Sequence, residues 1–421
     1  MKKEVATLLA AQVALIKPSK EVLEKINRVY SDFSRDLERE IAKKKIDAQV
    51  FLGGSLAKGS LVKQAVYDID VFVRFNRKYT DAKISELLGK LLGASAKRVH
   101  GSRDYYQITQ KTFLLEVIPV LAIDRPSEAE NVTDLSFFHV RYLARKMKDN
   151  SSLAQEIMLA KSFTHAQGVY GAESYINGFS GYALELLLVY YKTFWHFVEE
   201  IARFDFTKKK LIIDIEQDYK TDASVLSEMN PSKTIGPIVL VDPTYKERNA
   251  VSGLSLETLT RFAKVCKAFI AKPSIDFFEV QDVALDFKAS DIVLLVHSDK
   301  QAGDIAGTKS KKFFRFFLRK LAREFVVKKN GFSYDEEANE GRFYIRVGKK
   351  KDEVITGPPV SNLRHASAFK KVHPLALIKK GVWHATIKHM LSFEQWFLEF
   401  VKKDAKIIRE MGIKKITRLS K

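Results

Sequence analysis

The sequence contains very little cysteine. Cys266 is the single cysteine among 421 residues. One thiol excludes an intramolecular disulfide and any cysteine-rich zinc site. The scarcity is typical of a chain that works in a reducing, cytoplasmic setting.

Long apolar runs are also missing. No stretch approaches the ~20 apolar residues that a membrane span needs, so we expect no membrane partner. The apolar segment 5–16 follows a basic start and superficially resembles a signal peptide. Glu4 and Gln12 interrupt that resemblance and Pro18 follows it closely. We interpret the segment as an amphipathic first helix, with a secretory signal as the alternative.

Basic charge is abundant. Lys and Arg number 71 against 51 Asp and Glu, which gives a net charge of +20. An excess of this size favours a polyanionic partner, with nucleic acid as the first candidate and simple solubility charge as the alternative. Hydrophobic residues make up 46% of the chain, enough for buried cores. The length predicts two to four domains.

The segment from Phe51 to Phe75 organises the rest of the chain. A strand end is followed by the turn Gly53-Gly54-Ser55, a short helix that includes 58–60, and a second strand with Asp68 and Asp70. Because strand side chains alternate, the two aspartates share one face and the apolar residues between them face a core. Paired carboxylates repel each other unless a cation lies between them, and Mg²⁺ prefers oxygen ligands of this kind.

The alternative for this strand is a pair of aspartates in solvent. The preceding glycine turn favours the metal, because backbone N–H groups at such a turn form an anion site within reach of the carboxylates. A phosphate site beside metal ligands predicts a nucleoside triphosphate bound for two-metal chemistry.

A third carboxylate lies in the apolar run 112–120. Glu116 is its single charged residue, in a place where burial alone would be costly. If this strand neighbours the strand of Asp68 and Asp70, three carboxylates converge. Otherwise the run is an edge strand with Glu116 in water.

Two further segments have two interpretations each. Glycines and aromatic residues alternate over 168–182, which suits either a flat ligand or a packed helical corner. Basic residues and phenylalanines alternate over 310–325, which suits either RNA binding or, as we favour, a helix with its phenylalanines in a core.

The periodicity of apolar residues predicts the main elements of the chain. Pro18-Ser19 begins a long helix. The other predicted helices cover 83–92, 153–167 and 254–273. The predicted strands cover 48–52, 105–109, 112–120, 237–242, 291–296 and 342–347. Turns are predicted at 243–249 and at 357–359.

Seven segments carry a combined pattern: GSLAKGSLVKQAVYDIDVFV, LEVIPV, FFH, QGVYGAESYINGFSGYALELLLVYY, VDPTYKERN, GPPV and HASAFKKVHP. Together these motifs resemble the class I, archaeal-type CCA-adding enzymes, which are tRNA nucleotidyltransferases of the polymerase-β-like superfamily. The first motif marks only the superfamily. The YGAE…GFSGY and VDPTYKERN segments are much more specific, and the similarity covers nearly the whole chain.

The resemblance implies an α+β protein with four parts. A polymerase-β-like nucleotidyltransferase head at 1–135 would be catalytic, and a helical neck at 136–250 would recognise the nucleotide base. A mixed α/β body at 251–350 would bind RNA, and a tail with C-terminal helices at 351–421 would bind tRNA.

The resemblance also implies an activity. This is the Mg²⁺-dependent addition of C, C and A to the tRNA 3′ end from CTP and ATP, without a template and with release of pyrophosphate. The partner is tRNA, bound through its 3′ end and acceptor arm, and a homodimer is left open. A poly(A)-type or other terminal nucleotidyltransferase, and an inactive RNA-binding homologue, are the alternatives.

The motifs assign roles to individual residues. Asp68 and Asp70 match the metal-binding pair and Glu116 matches the third carboxylate. Ser55 and Lys58 match positions near the triphosphate.

Residues further along the chain match the nucleotide-binding part of the family. His139, Lys161 and Tyr170 match residues that hold the ribose and the phosphates. Arg248 matches the arginine that, with the region of the third carboxylate, presents hydrogen bonds to the incoming base.

The sequence departs from the family at two of these positions. The third carboxylate is usually aspartate, and the extra methylene of Glu116 moves its oxygens by about 1 Å, a displacement that can slow catalysis about 10²-fold. His139 stands alone where the family often has two histidines in a row.

Overall fold

The computed structural model describes residues 3–280, 282–288, 290–299, 303–336 and 338–419. The chain forms two compact units, Met1–Gln281 and Asp282–Lys421. The four-part division stays a prediction.

The first unit contains a five-stranded sheet with the strand order β1-β2-β5-β4-β3. Strands β2 and β5 are parallel, and the other neighbours are antiparallel. The strands are β1 (Ala48–Leu52), β2 (Tyr67–Phe75), β3 (Lys97–Val99), β4 (Tyr105–Gln110) and β5 (Phe113–Leu121).

Helices precede, interrupt and follow this sheet along the chain. They are α1 (Lys3–Ile16), α2 (Lys20–Lys43), α3 (Gly54–Ala57), α4 (Asp81–Leu92), α5 (Ser136–Asp149), α6 (Leu153–Ala166), α7 (Gly181–Tyr191), α8 (Phe194–Arg203), α9 (Asp222–Glu228) and α10 (Leu256–Ala271). A second sheet joins β6 (Leu211–Ile213), β7 (Ile238–Asp242) and β8 (Tyr245–Asn249).

The β-sheet buries one face and leaves the other face for chemistry. Ile69, Val71 and Val73 of β2 are fully buried, in a core shared with α2 and α4. Because side chains alternate along a strand, Asp68 and Asp70 lie on the opposite face. This confirms the face assignment made from the sequence.

Helix α2 begins where the sequence predicts. The hydroxyl of Ser19 accepts a hydrogen bond from the backbone N–H of Val22, which satisfies one of the free donors of the first turn. The prediction for the short helix is wrong in its bounds. Helix α3 covers only Gly54–Ala57, and the segment 58–60 follows it.

Aromatic rings fill the helical core beside the sheet. Phe163 contacts the rings of Phe194, Phe262 and Phe269 at centroid distances of 5.2–5.8 Å. These residues come from α6, α8 and α10, so the three helices share one core. The buried residues of α7 belong to the same core, so α6 and α7 pack together.

The second unit contains two antiparallel sheets, ordered β10-β11-β9-β15 and β12-β14-β13. Its strands are β9 (Ile292–Ser298), β10 (Phe325–Asp335), β11 (Glu340–Lys349), β12 (Glu353–Pro359), β13 (Leu377–Lys379), β14 (Val382–Ile387) and β15 (Ile413–Leu419). Its helices are α11 (Gly303–Leu321), α12 (Leu363–Val372), α13 (Phe393–Lys403) and α14 (Ala405–Glu410).

The phenylalanines of α11 belong to the core of this unit. Phe313, Phe314 and Phe317 are buried, which confirms the interpretation we favoured. No helix in the described part of the chain is long and apolar enough to cross a membrane.

Candidate active site

Three carboxylates meet on the open face of the first sheet. In the parallel pairing of β2 with β5, Asp70 lies directly opposite Glu116, and Asp68 lies two residues earlier on the same face of β2. Neighbouring strands are only about 4.8 Å apart, so these side chains are immediate neighbours. The structure therefore brings together the three acidic residues that the sequence predicts.

Gln107 of β4 orients the third carboxylate. Its side-chain amide donates a hydrogen bond of 2.8 Å to Oε1 of Glu116. Gln107 is also the register partner of Glu116. The longer side chain of Glu116 thus has a fixed position rather than a free rotation.

Burial raises the pKa of all three carboxyl groups above ordinary values. For Asp70, burial is the main cause, the charge of Lys58 opposes it and the charge of Asp68 adds to it. For Glu116, burial comes first, Gln107 opposes it, and the two aspartates add to it. For Asp68, which is the most exposed of the three, burial raises the pKa and Gln64 opposes it. Three such groups in one place are stabilised as anions by a cation.

A divalent cation fits this donor set when the substrate completes it. Among the residues that the structure describes, no group of three or more His, Cys, Asp or Glu side chains is arranged to hold a metal ion by itself. Mg²⁺, however, usually takes only one or two carboxylates and completes its shell with waters and phosphate oxygens. The residues present therefore fit an ion that is held jointly with a nucleotide.

The raised pKa of Asp70 makes a prediction about stability. A carboxyl group with a higher pKa in the folded chain holds more protons when folded, so its effect on folding becomes less favourable as pH rises. The effect begins when the pH rises past the pKa of an aspartate in the unfolded chain, which is about 3.9. Without divalent cations, we expect Asp70→Asn to melt near the wild-type temperature at about pH 4 and about 3 °C higher at pH 7. Thermal unfolding followed by circular dichroism measures both.

A matched variant removes an exposed carboxylate instead. Asp47 forms a surface ion pair of 3.0 Å with Lys78, and Asp47→Asn should show no gain that grows with pH. A constant difference between Asp70→Asn and wild type across the pH range would contradict the prediction.

The glycine turn lets α3 approach Asp70 closely. The N–H of Gly53 donates to the backbone carbonyl of Asp70 at 2.9 Å. This N–H is therefore not free to bind an anion, and the anion site expected at the turn stays a prediction for the N–H groups that follow it. Gly54 has a φ of +58°, and a Cβ added there would lie 1.6 Å from Oδ2 of Asp70. Only glycine fits at this position.

Two predicted lysines meet at a buried glutamate. Nζ of Lys58 lies 2.6 Å from Oε2 of Glu185, and Nζ of Lys161 lies 2.9 Å from Oε1 of the same residue. Ser60 accepts a hydrogen bond of 3.0 Å from Lys161. The side chain of Glu185 is fully buried. Its pKa is lowered because the charges of the two lysines outweigh the effect of burial.

A cavity of about 310 Å³ lies beside these residues. Its walls include Ser55, Asp68, Lys161 and Tyr170, four of the predicted site residues. Burial raises the pKa of the Tyr170 hydroxyl, so this group stays protonated and available as a donor. Cationic, hydroxyl and carboxylate groups around one cavity suit a charged, phosphate-bearing ligand.

The last two predicted residues meet at a second buried carboxylate. Nη1 of Arg248 donates to Oδ2 of Asp242 at 2.6 Å, and Nε2 of His139 lies 3.3 Å from the same oxygen. Tyr182 donates its hydroxyl to Oδ1 at 3.0 Å, and its ring stacks on His139 at a centroid distance of 3.8 Å. The ion pair with Asp242 orients the guanidinium of Arg248.

The pKa values of His139 and Asp242 are both lowered. Burial lowers the pKa of His139 even though Asp242 opposes this effect. Burial also disfavours the charged form of Asp242, but His139 and Arg248 outweigh it and hold its pKa far below the ordinary range. At neutral pH a neutral imidazole and an ionised carboxylate therefore flank Arg248.

Sequence reasoning missed the two buried acids, Glu185 and Asp242, as members of the site. Each left a signal in the sequence. Glu185 is the single charge in the apolar run GYALELLLVYY, and Asp242 ends the apolar strand PIVLVD. A charge in such a run needs a partner, but its partner cannot be identified until the fold is known.

The class of protein follows from the fold together with comparisons to known proteins. Residues 34–115 match the family described as "Nucleotidyltransferase domain", and residues 155–279 match "tRNA nucleotidyltransferase, second domain". The Cid1 poly(U) polymerase has the same fold, with a TM-score of 0.51, 16% identity, and coverage of 66% of this chain and 99% of its own. The protein is a nucleotidyltransferase with a polymerase-β-like fold.

Relatives of known activity narrow this class. A CCA-adding enzyme of Nanoarchaeum equitans is 32% identical over 322 residues, which cover 74% of this chain and 76% of the relative. A CCA-adding enzyme of Methanocaldococcus jannaschii is 26% identical over 381 residues, which cover 86% of this chain and 83% of the relative. The chain belongs to the archaeal-type CCA-adding enzymes, a family of tRNA nucleotidyltransferases, as the sequence motifs predicted.

Proposed function

We propose that the protein completes the 3′ end of tRNA by adding C, C and A from CTP and ATP. The observation that carries the proposal is the register of β2 and β5, which places Asp70 opposite Glu116 on the face that Asp68 shares. The activity of the family and this arrangement agree. In each step the tRNA 3′ oxygen forms a bond to the α-phosphorus of the nucleotide. The bond from that phosphorus to the oxygen that bridges the α- and β-phosphates breaks, and pyrophosphate and the hydroxyl proton are released.

Asp68, Asp70 and Glu116 would hold Mg²⁺ together with the nucleotide. When bound, Mg²⁺ lowers the pKa of the attacking hydroxyl and stabilises the charge of the departing pyrophosphate. Gln107 fixes Glu116, and Gly54 fixes the backbone beside Asp70. With these supports the longer glutamate can serve where the family usually has aspartate.

Lys58, Lys161, Ser55 and Tyr170 would bind the triphosphate. Two ammonium groups and two hydroxyl groups near one cavity offer the donors that phosphate oxygens need. His139, which is neutral and stacked on Tyr182, would contact the ribose.

Arg248 would select the base. Its guanidinium is planar and is held by Asp242, so it presents donors in a fixed direction. Cytosine and adenine edges can accept those hydrogen bonds, whereas uracil and guanine would leave polar groups unpaired.

The basic surface of the chain would bind tRNA by its shape and its phosphates rather than by its base sequence. The net charge of +20 supports this. We also propose a cytoplasmic location, in which the buried Cys266 stays reduced. A homodimer stays a prediction from the family.

Sequencing of reaction products tests the proposed function. The protein is incubated with all four nucleoside triphosphates and a tRNA that lacks its terminal CCA, and the new 3′ ends are sequenced. We expect C, C and A followed by a stop, and only C, C when ATP is omitted. Long tracts of A or U would instead support another kind of terminal nucleotidyltransferase.

A further inference from the structure

We propose that Glu185 is a positioning residue that holds Lys58 and Lys161 where the nucleotide's triphosphate binds. This inference rests on the proposed function, because it assigns a task to the two lysines. None of the roles assigned above to the site residues belongs to Glu185.

Glu185 bridges the two lysines. Each carboxylate oxygen of Glu185 contacts a different lysine, at 2.6 Å and 2.9 Å. Oε1 also lies 3.5 Å from the hydroxyl of Ser60, which in turn contacts Lys161. Every polar atom of the carboxylate therefore has a cationic partner.

The bridge connects separate parts of the first unit. Lys58 directly follows α3, within the segment that matches the nucleotidyltransferase domain, whereas Lys161 and Glu185 lie on α6 and α7, within the segment that matches the second domain. Lysine side chains are long and flexible, and fixing one of them costs rotamer freedom. Glu185 fixes both before the nucleotide arrives.

Charge gives a second reason for a carboxylate at this position. The side chains of Lys58 and Lys161 are only 10% and 9% exposed. Two ammonium groups this close repel each other, and a buried unpaired cation is unstable. Glu185 offers both lysines an opposite charge at one point, and the charges of both also oppose the rise that burial causes in the pKa of Asp70.

Glu185→Gln tests the proposal with the full-length protein. The amide can accept from one lysine, but its NH₂ group opposes the other. We expect KM for CTP and for ATP to rise about tenfold to a hundredfold, as for the loss of a charged hydrogen bond. KM for tRNA should stay within about twofold of wild type, because only the triphosphate contacts are lost.

A second measurement separates positioning from general damage. If Glu185 acts through Lys58, the losses in kcat/KM for Lys58→Met and Glu185→Gln should not multiply in the double variant. Multiplying losses would contradict the proposal, and so would a wild-type KM for CTP in folded Glu185→Gln. Ser60→Ala removes one hydroxyl from the same cluster and should raise KM for CTP in the same direction, which decides the question if Glu185→Gln does not fold.

Glu156 provides the matched control. It is a half-buried glutamate on α6 whose carboxylate accepts from the backbone N–H of Phe194 at 2.7 Å. Glu156→Gln makes the same chemical change in the same unit and should leave KM for CTP unchanged. Failure of the proposed function itself would appear differently, as wild-type protein that adds no CCA.

Discussion

Asp70→Asn should lower nucleotide addition about 10³-fold or more, because losing a metal-binding carboxylate removes several kcal/mol of transition-state stabilisation. Asp70 lies opposite Glu116 and beside Asp68, so no neighbouring group can replace its charge without leaving its own position. The assay measures incorporation of CTP and ATP into tRNA that lacks its terminus. Binding of tRNA, measured by fluorescence anisotropy, should be unchanged.

The control for this variant is again Asp47→Asn, since Asp47 is exposed and lies at a surface ion pair. It should keep wild-type activity. If Asp70→Asn adds nucleotides at a rate near that of wild type, the assignment of the metal site is wrong.

Gly54→Ala should lower activity about 10²-fold, because a displacement of about 1 Å at a catalytic group costs that much. The added Cβ would lie 1.6 Å from Oδ2 of Asp70 and 2.5 Å from its Cγ, so the carboxylate must move away. Steady-state kinetics with CTP and tRNA measure the loss.

Gly168→Ala is the control that separates backbone strain from the displacement of Asp70. Gly168 has a φ of +61°, close to the +58° of Gly54, but a Cβ there meets no atom within 4 Å. The positive φ should cost both variants a similar amount of stability, about 1 kcal/mol, and only Gly54→Ala should lose activity. Equal activity in the two variants would show that the approach of α3 to Asp70 is unimportant.

The local part of the site could be predicted from the sequence. Alternation along β2 assigns Asp68 and Asp70 to one face because strand geometry depends only on neighbouring residues. Burial of Phe313, Phe314 and Phe317 followed likewise from helical spacing. Such patterns do not depend on how distant segments meet.

The long-range part could not be predicted from residue patterns. The pairing of β5 with β2 joins residues 46 positions apart at Asp70 and Glu116, and the sequence could state it only as a condition. The contacts of Glu185 with Lys58 span 127 residues. Contacts between residues so far apart produce no periodic pattern in the sequence. Only the resemblance to a family could therefore predict that these residues belong to one site.

Of the two predicted turns, the first is wrong in its bounds and the second is wrong altogether, for a related reason. In the segment 243–249 only 243 and 244 form the turn, and Tyr245–Asn249 is strand β8. The segment 357–359 ends strand β12, where Pro359 pairs with Val382. Strand β12 lies at the edge of its sheet, and an edge tolerates a proline that lacks an N–H donor. In both segments, pairing with a neighbouring strand outweighs the local preference for a turn.

The same account explains why the alternative functions are less suitable. An RNA-binding homologue without activity would gain nothing from three clustered carboxylates whose pKa values are raised by burial and, for Asp70 and Glu116, also by their acidic neighbours. Poly(U) polymerases share the fold, but at 16% identity this likeness concerns the fold alone. We propose that the choice among nucleotides depends on Arg248, which donates a hydrogen bond to Asp242.

Binding of Mn²⁺ in place of Mg²⁺, followed by electron paramagnetic resonance, tests the central claim most directly. With a non-hydrolysable CTP analogue, wild-type protein should bind about two ions per chain, as two-metal chemistry requires. The variant with Asp68→Asn, Asp70→Asn and Glu116→Gln should lose this binding while it remains folded. Unchanged Mn²⁺ binding in that variant would show that these carboxylates do not form the metal site.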